Sequence, residues 1–294
     1  MTLTQLKYFA AVCDHGSVSG AAQALFLSQP SLSAAISELE EEFGAPLFQR
    51  HRRGMILTPG GTQLYTLARD LLKQAEQTQR LMTELGKGRK VLRLGVPPMI
   101  GSLLLPHLFQ SFLPAHPDLS LTIIEEGRRD VLTRLEEDQL DMILLPHDRP
   151  LPATLSTLSV GQVETVCCVR HDHPLTHLDR ITPEALADTP LVLFQDSFFQ
   201  TEVIKSWFAR AQITPHILLQ TRQLSTLQSV VASTDAAGFL FRPLLEGQER
   251  LASISLSQPV LVEVSLAWKK QTAPFSAMEL LREHLAAGDA LFHI

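Results

Sequence analysis

Cysteine is scarce in this chain: three residues in 294, at positions 13, 167 and 168, with no paired spacing. That excludes a disulfide scaffold and points to a reducing compartment. No stretch approaches the roughly 18 continuous apolar residues of a membrane span. The N-terminal MTLTQLKYF, with one lysine and an interrupted apolar pattern, does not read as a signal peptide. These absences predict a cytoplasmic protein with no membrane partner. Motifs of nucleotide and acyl chemistry are missing too: there is no G-x-S-x-G, no G-x-x-x-x-G-K-[ST] and no G-x-G-x-x-G. A serine hydrolase, a P-loop enzyme and a Rossmann enzyme are thereby disfavoured, and neither an enzyme nor a cofactor is expected. Low-complexity segments and short-period repeats are also absent.

What is present is an ordinary globular composition, 45% hydrophobic and 19% charged, with length for about two domains. The net charge of −6 is unevenly spread. Residues 1–93 hold 11 Lys and Arg against 8 Asp and Glu, a balance of +3, and the remainder carries −9. A mildly basic front and an acidic back fit a nucleic-acid module joined to a domain with another task.

Residues 17–57 carry most of the information. Ser19 is placed to cap a helix over 20–25. Ser28 is placed to cap a second helix, with Pro30 in its first turn, where a missing N–H costs little. Only Phe26-Leu27 lie between them, and small residues (Ala21, Ala22) stand at the crossing, as in a helix-turn-helix. A preceding helix over 4–14 puts Leu6, Phe9, Ala10 and Cys13 on one face and ends at His15-Gly16. The second helix, over 31–43, turns Leu32, Ile36 and Leu39 inward and ends at Gly44. A small β-wing follows over 45–59, with Arg50, His51, Arg52 and Arg53 at its tip. Arginines there suit phosphate or minor-groove contacts. Gln29, Ser31 and Ser33 fall in the first turns of the second helix, and a glutamine can pair with adenine N6 and N7.

Pro59-Gly60-Gly61 reads as a break. Beyond it a helix over 62–85 repeats apolar residues at intervals of four and three: Leu64, Ala68, Leu71, Ala75, Thr78, Met82 and Leu85. That heptad seam predicts dimerisation. Leu67, Leu72 and Leu81 widen it. Gly86 to Lys90 makes a hinge.

From residue 91 strands alternate with helices. Strands are expected over 91–96, 121–125, 142–145, 164–169, 191–194, 217–220, 238–241 and 260–268. Helices are expected over 102–112, 129–137, 183–187, 202–211, 224–232 and 276–285. This order implies an α/β class with parallel sheets, whose ligands bind beyond the carboxyl ends of the strands. The histidines of His171–His177 read as a loop after a strand rather than a metal site. Cys167 and Cys168, adjacent on a strand, point to opposite faces and are read as buried thiols.

Leu6-Lys7-Tyr8-Phe9, Gly16-Ser17, Ala21-Ala22, Leu25, Ser28-Gln29-Pro30, Leu32-Ser33, Ile36, Leu39-Glu40, Gly44, Leu47-Phe48, Arg50 and Leu57 to Gly61 together resemble the N-terminal signature of LysR-type transcriptional regulators. Gly95, Leu104 to Pro106, Leu140-Asp141, His173 to Leu175 and Gly238 to Pro243 resemble later landmarks of that family. The resemblance implies a winged helix-turn-helix over 1–61, a dimerising linker and hinge over 62–88, and an effector domain over 89–294. That last domain would resemble a periplasmic solute-binding protein of two α/β subdomains, about 89–161 with 266–294 and about 162–265. The implied partners are double-stranded promoter DNA, a small-molecule effector, the chain itself as dimer or tetramer, and RNA polymerase.

DNA contact is implied at Ser28, Gln29, Pro30, Ser31, Ser33, Ala34, Ser37, Arg50, Arg52 and Arg53. Ala34 stands where the family commonly has arginine, which shifts the reading of bases toward Gln29, Ser33 and the wing. Effector contact is implied at Met99, Ile100, Gly101, Ser102, Arg128, Gln195, Asp196 and Ser197. Met99 stands where the family often has the serine or threonine that holds an effector carboxylate, leaving backbone N–H groups of 100–102 and the Ser102 hydroxyl for an anion. Residues 97–102, Glu126-Gly127 and Phe194 to Asp196 most resemble regulators of holin-like and acetate-overflow operons, which implies a small organic acid such as acetate or pyruvate. The paired cysteines of peroxide-sensing relatives have no counterpart near 195–210. Two other readings remain: a regulator that answers to a protein partner, and a soluble solute-binding α/β protein.

Overall fold

The computed structural model describes residues 1–51, 54–87, 90–272 and 274–287. The chain divides into two compact units, Met1–Lys87 and Gly88–Ile294.

The first unit opens with α1 (Leu3–His15), started by a reciprocal cap. The Thr2 hydroxyl accepts from the Gln5 N–H, and the Gln5 side chain accepts from the Thr2 N–H. Gly16, at φ 63°, ends it. Helix α2 (Val18–Ala24) is capped by Ser17, whose Oγ accepts from the Gly20 N–H at 3.1 Å. The cap expected at Ser19 falls two residues earlier, because the chain is already extended at Ser17 when it leaves the Gly16 turn. Phe26 turns the chain with φ 55° and leads into α3 (Gln29–Phe43). Leu32, Ile36 and Leu39 of α3 pack with Leu6, Phe9, Val12, Ala21 and Ala22 into one core.

The wing is the hairpin β1 (Phe48–His51) and β2 (Gly54–Leu57). The Glu40 carboxylate near the end of α3 accepts from the Leu47 and Phe48 N–H groups at 2.7 and 3.1 Å, which fixes the hairpin to the helix. Helix α4 runs Pro59–Lys87. The expected break at Pro59-Gly60-Gly61 is instead its first turn. Thr58 Oγ1 accepts from the Gly61 N–H at 3.0 Å, and Pro59 needs no donor there. Gly61 lies where a Cβ would fall 2.1 Å from the Leu47 carbonyl oxygen, so only glycine lets α4 approach the wing.

The second unit is built on one mixed nine-stranded sheet. Its first lobe holds β3 (Lys90–Val96), α5 (Pro98–His107), a π turn (Leu108–Phe112), the short α6 (Leu113–Ala115), β4 (Leu119–Glu125), α7 (Arg128–Glu136) and β5 (Met142–His147). Then comes β6 (Leu155–Arg170), the two-residue β7 (Arg180–Ile181) and a second lobe of β8 (Leu191–Phe194), α8 (Phe199–Arg210), β9 (Ile217–Thr221), α9 (Leu224–Val231) and β10 (Ala237–Phe241). The chain returns along β11 (Leu251–Lys269) to α10 (Ser276–Ala287).

The spatial order is β4-β3-β5-β11-β6-β10-β8-β9, with β7 on β11. Within each lobe the strands expected to be parallel are so, with β3 parallel to β4 and β5, and β8 parallel to β9 and β10. The expectation of parallel sheets throughout fails at the centre, where β6 and β11 pair antiparallel from Leu251↔Arg170 to Lys269↔Leu155. Each is at least twice as long as expected, because its N-terminal half is polar and interrupted, by Gly161 in β6 and by Gln258-Pro259 in β11. The ladder shifts register between Ser255 and Val260 and again between Val264 and Ser265, the latter opposite Gly161 at φ 141°. The expected helix over 102–112 is α5 and the π turn, and that over 183–187 is a 3-10 turn.

Two cores flank β6. Cys168 faces the larger one, with Leu94, Val96, Phe112, Phe194 and Phe241, while Cys167 faces the other, with Trp207, Phe208 and Phe239. In the first lobe the buried Asp141 carboxylate takes the Arg93 backbone N–H at 2.8 Å and two of its guanidinium donors at 2.7 and 3.2 Å. His173 is buried: its Nδ1 accepts from the Leu175 N–H, and its Nε2 lies 3.3 Å from the Asp235 carbonyl oxygen. Among the described residues no group of His, Cys, Asp or Glu is arranged to hold a metal, and no helix is long and apolar enough to cross a membrane.

Candidate functional site

In the first unit α3 has two opposed faces. Leu32, Ile36 and Leu39 are buried, whereas Gln29, Pro30, Ser31, Ser33, Ala34 and Ser37 are exposed along one side. Ser28 is a capping residue: its Oγ accepts from the Ser31 N–H at 3.2 Å and lies 2.7 Å from Ser31 Oγ. The exposed face therefore begins on a fixed helical turn, with the amide of Gln29 and the hydroxyl of Ser33 one turn apart. The expectations for Arg52 and Arg53, and for the side chains of Arg50 and Leu85, lie outside the described residues and side chains.

The seam expected on α4 is divided. Ala68 is fully buried and Leu64 half-buried, both in the core of their own unit, beside Leu72. They pack there because α4 leans on α1 over its first half. Leu67, Leu71 and Met82 are 60%, 41% and 63% exposed. The apolar stripe open on α4 thus runs through Leu67, Leu71, Ala75, Thr78 and Met82, rotated from the one expected at its N-terminal end.

In the second unit a cavity of about 460 Å³ opens between the lobes. Pro98 and Ser102 of α5 and Glu125 of β4 line one side. Arg222 to Ser225 and Gln228, at the start of α9, line the other. Neither α5 nor α9 has a side-chain cap at its N-terminus, so backbone donors there lack internal partners. Ser102 reaches this cavity as expected, but Met99 and Ile100 do not. Their side chains are buried among Val96, Leu104 and Phe112, because α5 starts at Pro98 and turns those two residues onto the sheet. The Gly101 N–H is engaged with the Pro97 carbonyl at 2.8 Å and is not free for a ligand.

The other expected effector residues lie where the lobes meet, beside the cavity. Gly127, the N-cap of α7, packs on Ser197, and the Arg129 N–H donates to the Ser197 carbonyl at 3.3 Å. The Arg128 guanidinium carbon stands 5.3 Å from the centre of the Phe199 ring, a cation–π geometry. Arg129 pairs with Glu202 at 2.6 Å, and Arg222 reaches Asp130 at 2.9 Å. Asp196 is held by Lys205 and by the Gln220 amide, and those two hydrogen bonds keep its carboxyl below the usual range. Gln195 is exposed.

Glu125 and the 222–228 segment were missed by sequence reading. They carry no motif, and only the antiparallel ribbon of β6 and β11 brings α9 opposite α5. Glu126 chelates Arg134 through two hydrogen bonds of 2.6 and 2.8 Å, which hold its carboxyl below the ordinary value. The Glu125 carboxyl moves the other way, raised by partial burial.

Comparison with known proteins agrees with this architecture. Residues 3–62 match the model for bacterial regulatory helix-turn-helix proteins of the lysR family, and residues 86–290 match the LysR substrate binding domain. The HTH-type transcriptional regulator YybE of Bacillus subtilis (strain 168) is 28% identical over 274 residues, 92% of this chain and 93% of that one. A full-length OxyR variant from Pseudomonas aeruginosa is 25% identical at a TM-score of 0.58, covering 97% of this chain and 99% of its own. Full-length CbnR, solved in complex with its target DNA, shares the fold at a TM-score of 0.63 and 20% identity, covering 97% and 99%.

Proposed function

Because the chain belongs to the LysR family of DNA-binding transcriptional regulators, we propose that α3 and the wing read promoter DNA under the control of a small organic acid bound between the lobes of the second unit. The observation that carries the first part is the exposed face of α3. Gln29, Pro30, Ser33, Ala34 and Ser37 have no packing role, and the helix presenting them is fixed at both ends, by Ser28 and by Glu40. Gln29 is the base reader, Ser33 and the wing arginines Arg50, Arg52 and Arg53 adjust register on phosphate and groove, and CbnR supplies a precedent for DNA binding by this fold.

The organic-acid reading is supported by the cavity at the carboxyl ends of the strands, by uncapped helix starts on two of its sides, and by the resemblance of 97–102 to regulators of acetate-overflow operons. Ser102 and Ser225 are the hydroxyls that line it. Copies of the chain associate through the Leu67, Leu71, Ala75, Thr78 and Met82 stripe of α4. The boundaries 1–61, 62–88 and 89–294 then separate reading, assembly and sensing, and the bound regulator meets RNA polymerase at the promoter in the cytoplasm. An effector shifts the lobes only by binding one arrangement more tightly than the other.

The test is retention of promoter fragments by the full-length protein as salt is raised. Retention that falls steeply with salt, and that weakens in Gln29→Ala and Arg52→Ala, supports this reading, since each lost phosphate contact flattens the slope by about one. A folded protein that retains no fragment at moderate salt overturns it.

A further inference from the structure

Glu125 ends β4 on the wall of the interlobe cavity. Its carboxylate lies against the first turn of α5, where Gly101 leaves the room: a Cβ on Gly101 would fall 2.3 Å from Glu125 Oε1. The two acidic neighbours have guanidinium partners, Arg134 for Glu126 and Arg222 for Asp130. Glu125 has neither a hydrogen-bond nor an ion-pair partner among the described residues. Arg222, the one cation lining the cavity among the described residues, is already directed at Asp130. Glu125 is solvent-exposed, so the cavity holds a carboxylate that water answers and no group of the fold does among the described residues. A simple carboxylic acid entering it meets a like charge, whereas a ligand with an ammonium group offers a charge-assisted hydrogen bond.

Resting on the effector reading above, we infer that the effector is a zwitterion, an amino acid whose carboxylate is held on the α9 side and whose ammonium group is held by Glu125. Glu125 is the specificity-determining residue, because it rejects the acid that lacks the amino group. Gly101 is the position that allows it, since any larger residue displaces the carboxylate from the wall.

The experiment follows thermal unfolding and calorimetric binding of the full-length protein at pH 7.5. The probes are the proteinogenic amino acids, each beside the carboxylic acid of the same skeleton without the amino group. The expected result is that one or a few amino acids raise Tm and bind, with the matched acid weaker by about tenfold or more. Glu125→Gln should remove that preference while unfolding at or above the wild-type temperature without ligand, because Glu125 has no partner to lose and partial burial disfavours its charge. A matched acid that binds the wild type as tightly as its amino acid, or a preference that survives Glu125→Gln, overturns the zwitterion and leaves the organic-acid reading standing. No Tm shift from either class overturns both.

Discussion

Gly127 and Ser197 touch across the two lobes of the second unit so closely that no side chain fits between them. A Cβ on Gly127 would fall 2.5 Å from Ser197 Oγ and 2.8 Å from the Ser197 carbonyl oxygen. Backbone lies on both sides, so relief requires the lobes to part. Arg129–Glu202 and Arg222–Asp130 brace the same junction. Gly127→Ala is accordingly expected to cost about 1–3 kcal/mol, the usual range for overpacking a close contact. Urea denaturation checks it. A variant as stable as the wild type would mean that the junction opens without resistance.

Two adjacent residues at the start of α3, its N-cap Ser28 and its first residue Gln29, should separate stability from recognition. Ser28→Ala removes the hydroxyl that accepts from the Ser31 N–H and should lower stability by about 1 kcal/mol, the typical value of an N-cap. Gln29→Ala removes an exposed side chain with no packing role and should leave the unfolding midpoint within about 0.5 kcal/mol. It should nonetheless lose about 1–3 kcal/mol of discrimination at one operator base pair. Denaturation and fragment binding on both variants give the comparison. Equal losses of stability would refute the division of labour.

Legibility differs between the units for physical reasons. In the first, capping serines, Pro30 and the glycines at 16 and 44 act locally, so sequence neighbours report helix ends directly. The errors there came from ambiguous local signals, such as Ser17 against Ser19 and Pro59-Gly60-Gly61 as break or first turn. In the second, strand periodicity marks the buried stretches around residues 94, 143, 167 and 193, but not pairing. Whether β6 meets β11 antiparallel depends on residues far apart in the chain, from Leu251 with Arg170 to Lys269 with Leu155. Met99 enters the effector site only through the family resemblance, as the position of a carboxylate-holding serine or threonine. Which side of α5 faces the cavity depends on the helix phase set at Pro98. Glu125 had no signal at all, since its role rests on the lack of a partner rather than on its neighbours in sequence.

The Glu126–Arg134 pair sets a pH dependence. Arg134 holds the folded carboxyl below its ordinary value of 4.5. The stabilisation is therefore fully present above the unfolded value and is lost as pH falls through the lower folded value. Both side chains are partly exposed, at 21% and 35%, so solvent screening limits the effect to about 1 kcal/mol. Glu126→Gln should be less stable than the wild type by that amount at pH 7, and the gap should close as pH falls below the ordinary carboxyl value of 4.5. Denaturant midpoints measured across that window test the sign, and a gap that widens on acidification would contradict it.

The cysteines bear on whether this member of the family senses peroxide. Thiols react as thiolates, which form readily where a nearby positive charge or a helix start lowers the pKa. Here burial does the opposite. Cys168 is pushed up to about 12, and Cys167 well above its ordinary value, on a strand between two apolar cores. Cys13, half-buried on α1, is also raised to about 12, by desolvation and then by the charge of Asp14. Cys167 and Cys168 also face away from each other, so a disulfide between them would require β6 to leave the sheet. A thiol reagent at pH 8 should therefore leave both unmodified in the native protein and label them on unfolding. Hydrogen peroxide should not change DNA retention, by wild type or by a Cys13→Ala variant. Rapid stoichiometric oxidation of the folded chain, with a change in retention, would show that an opened state of β6 is populated and that these thiols act as a sensor.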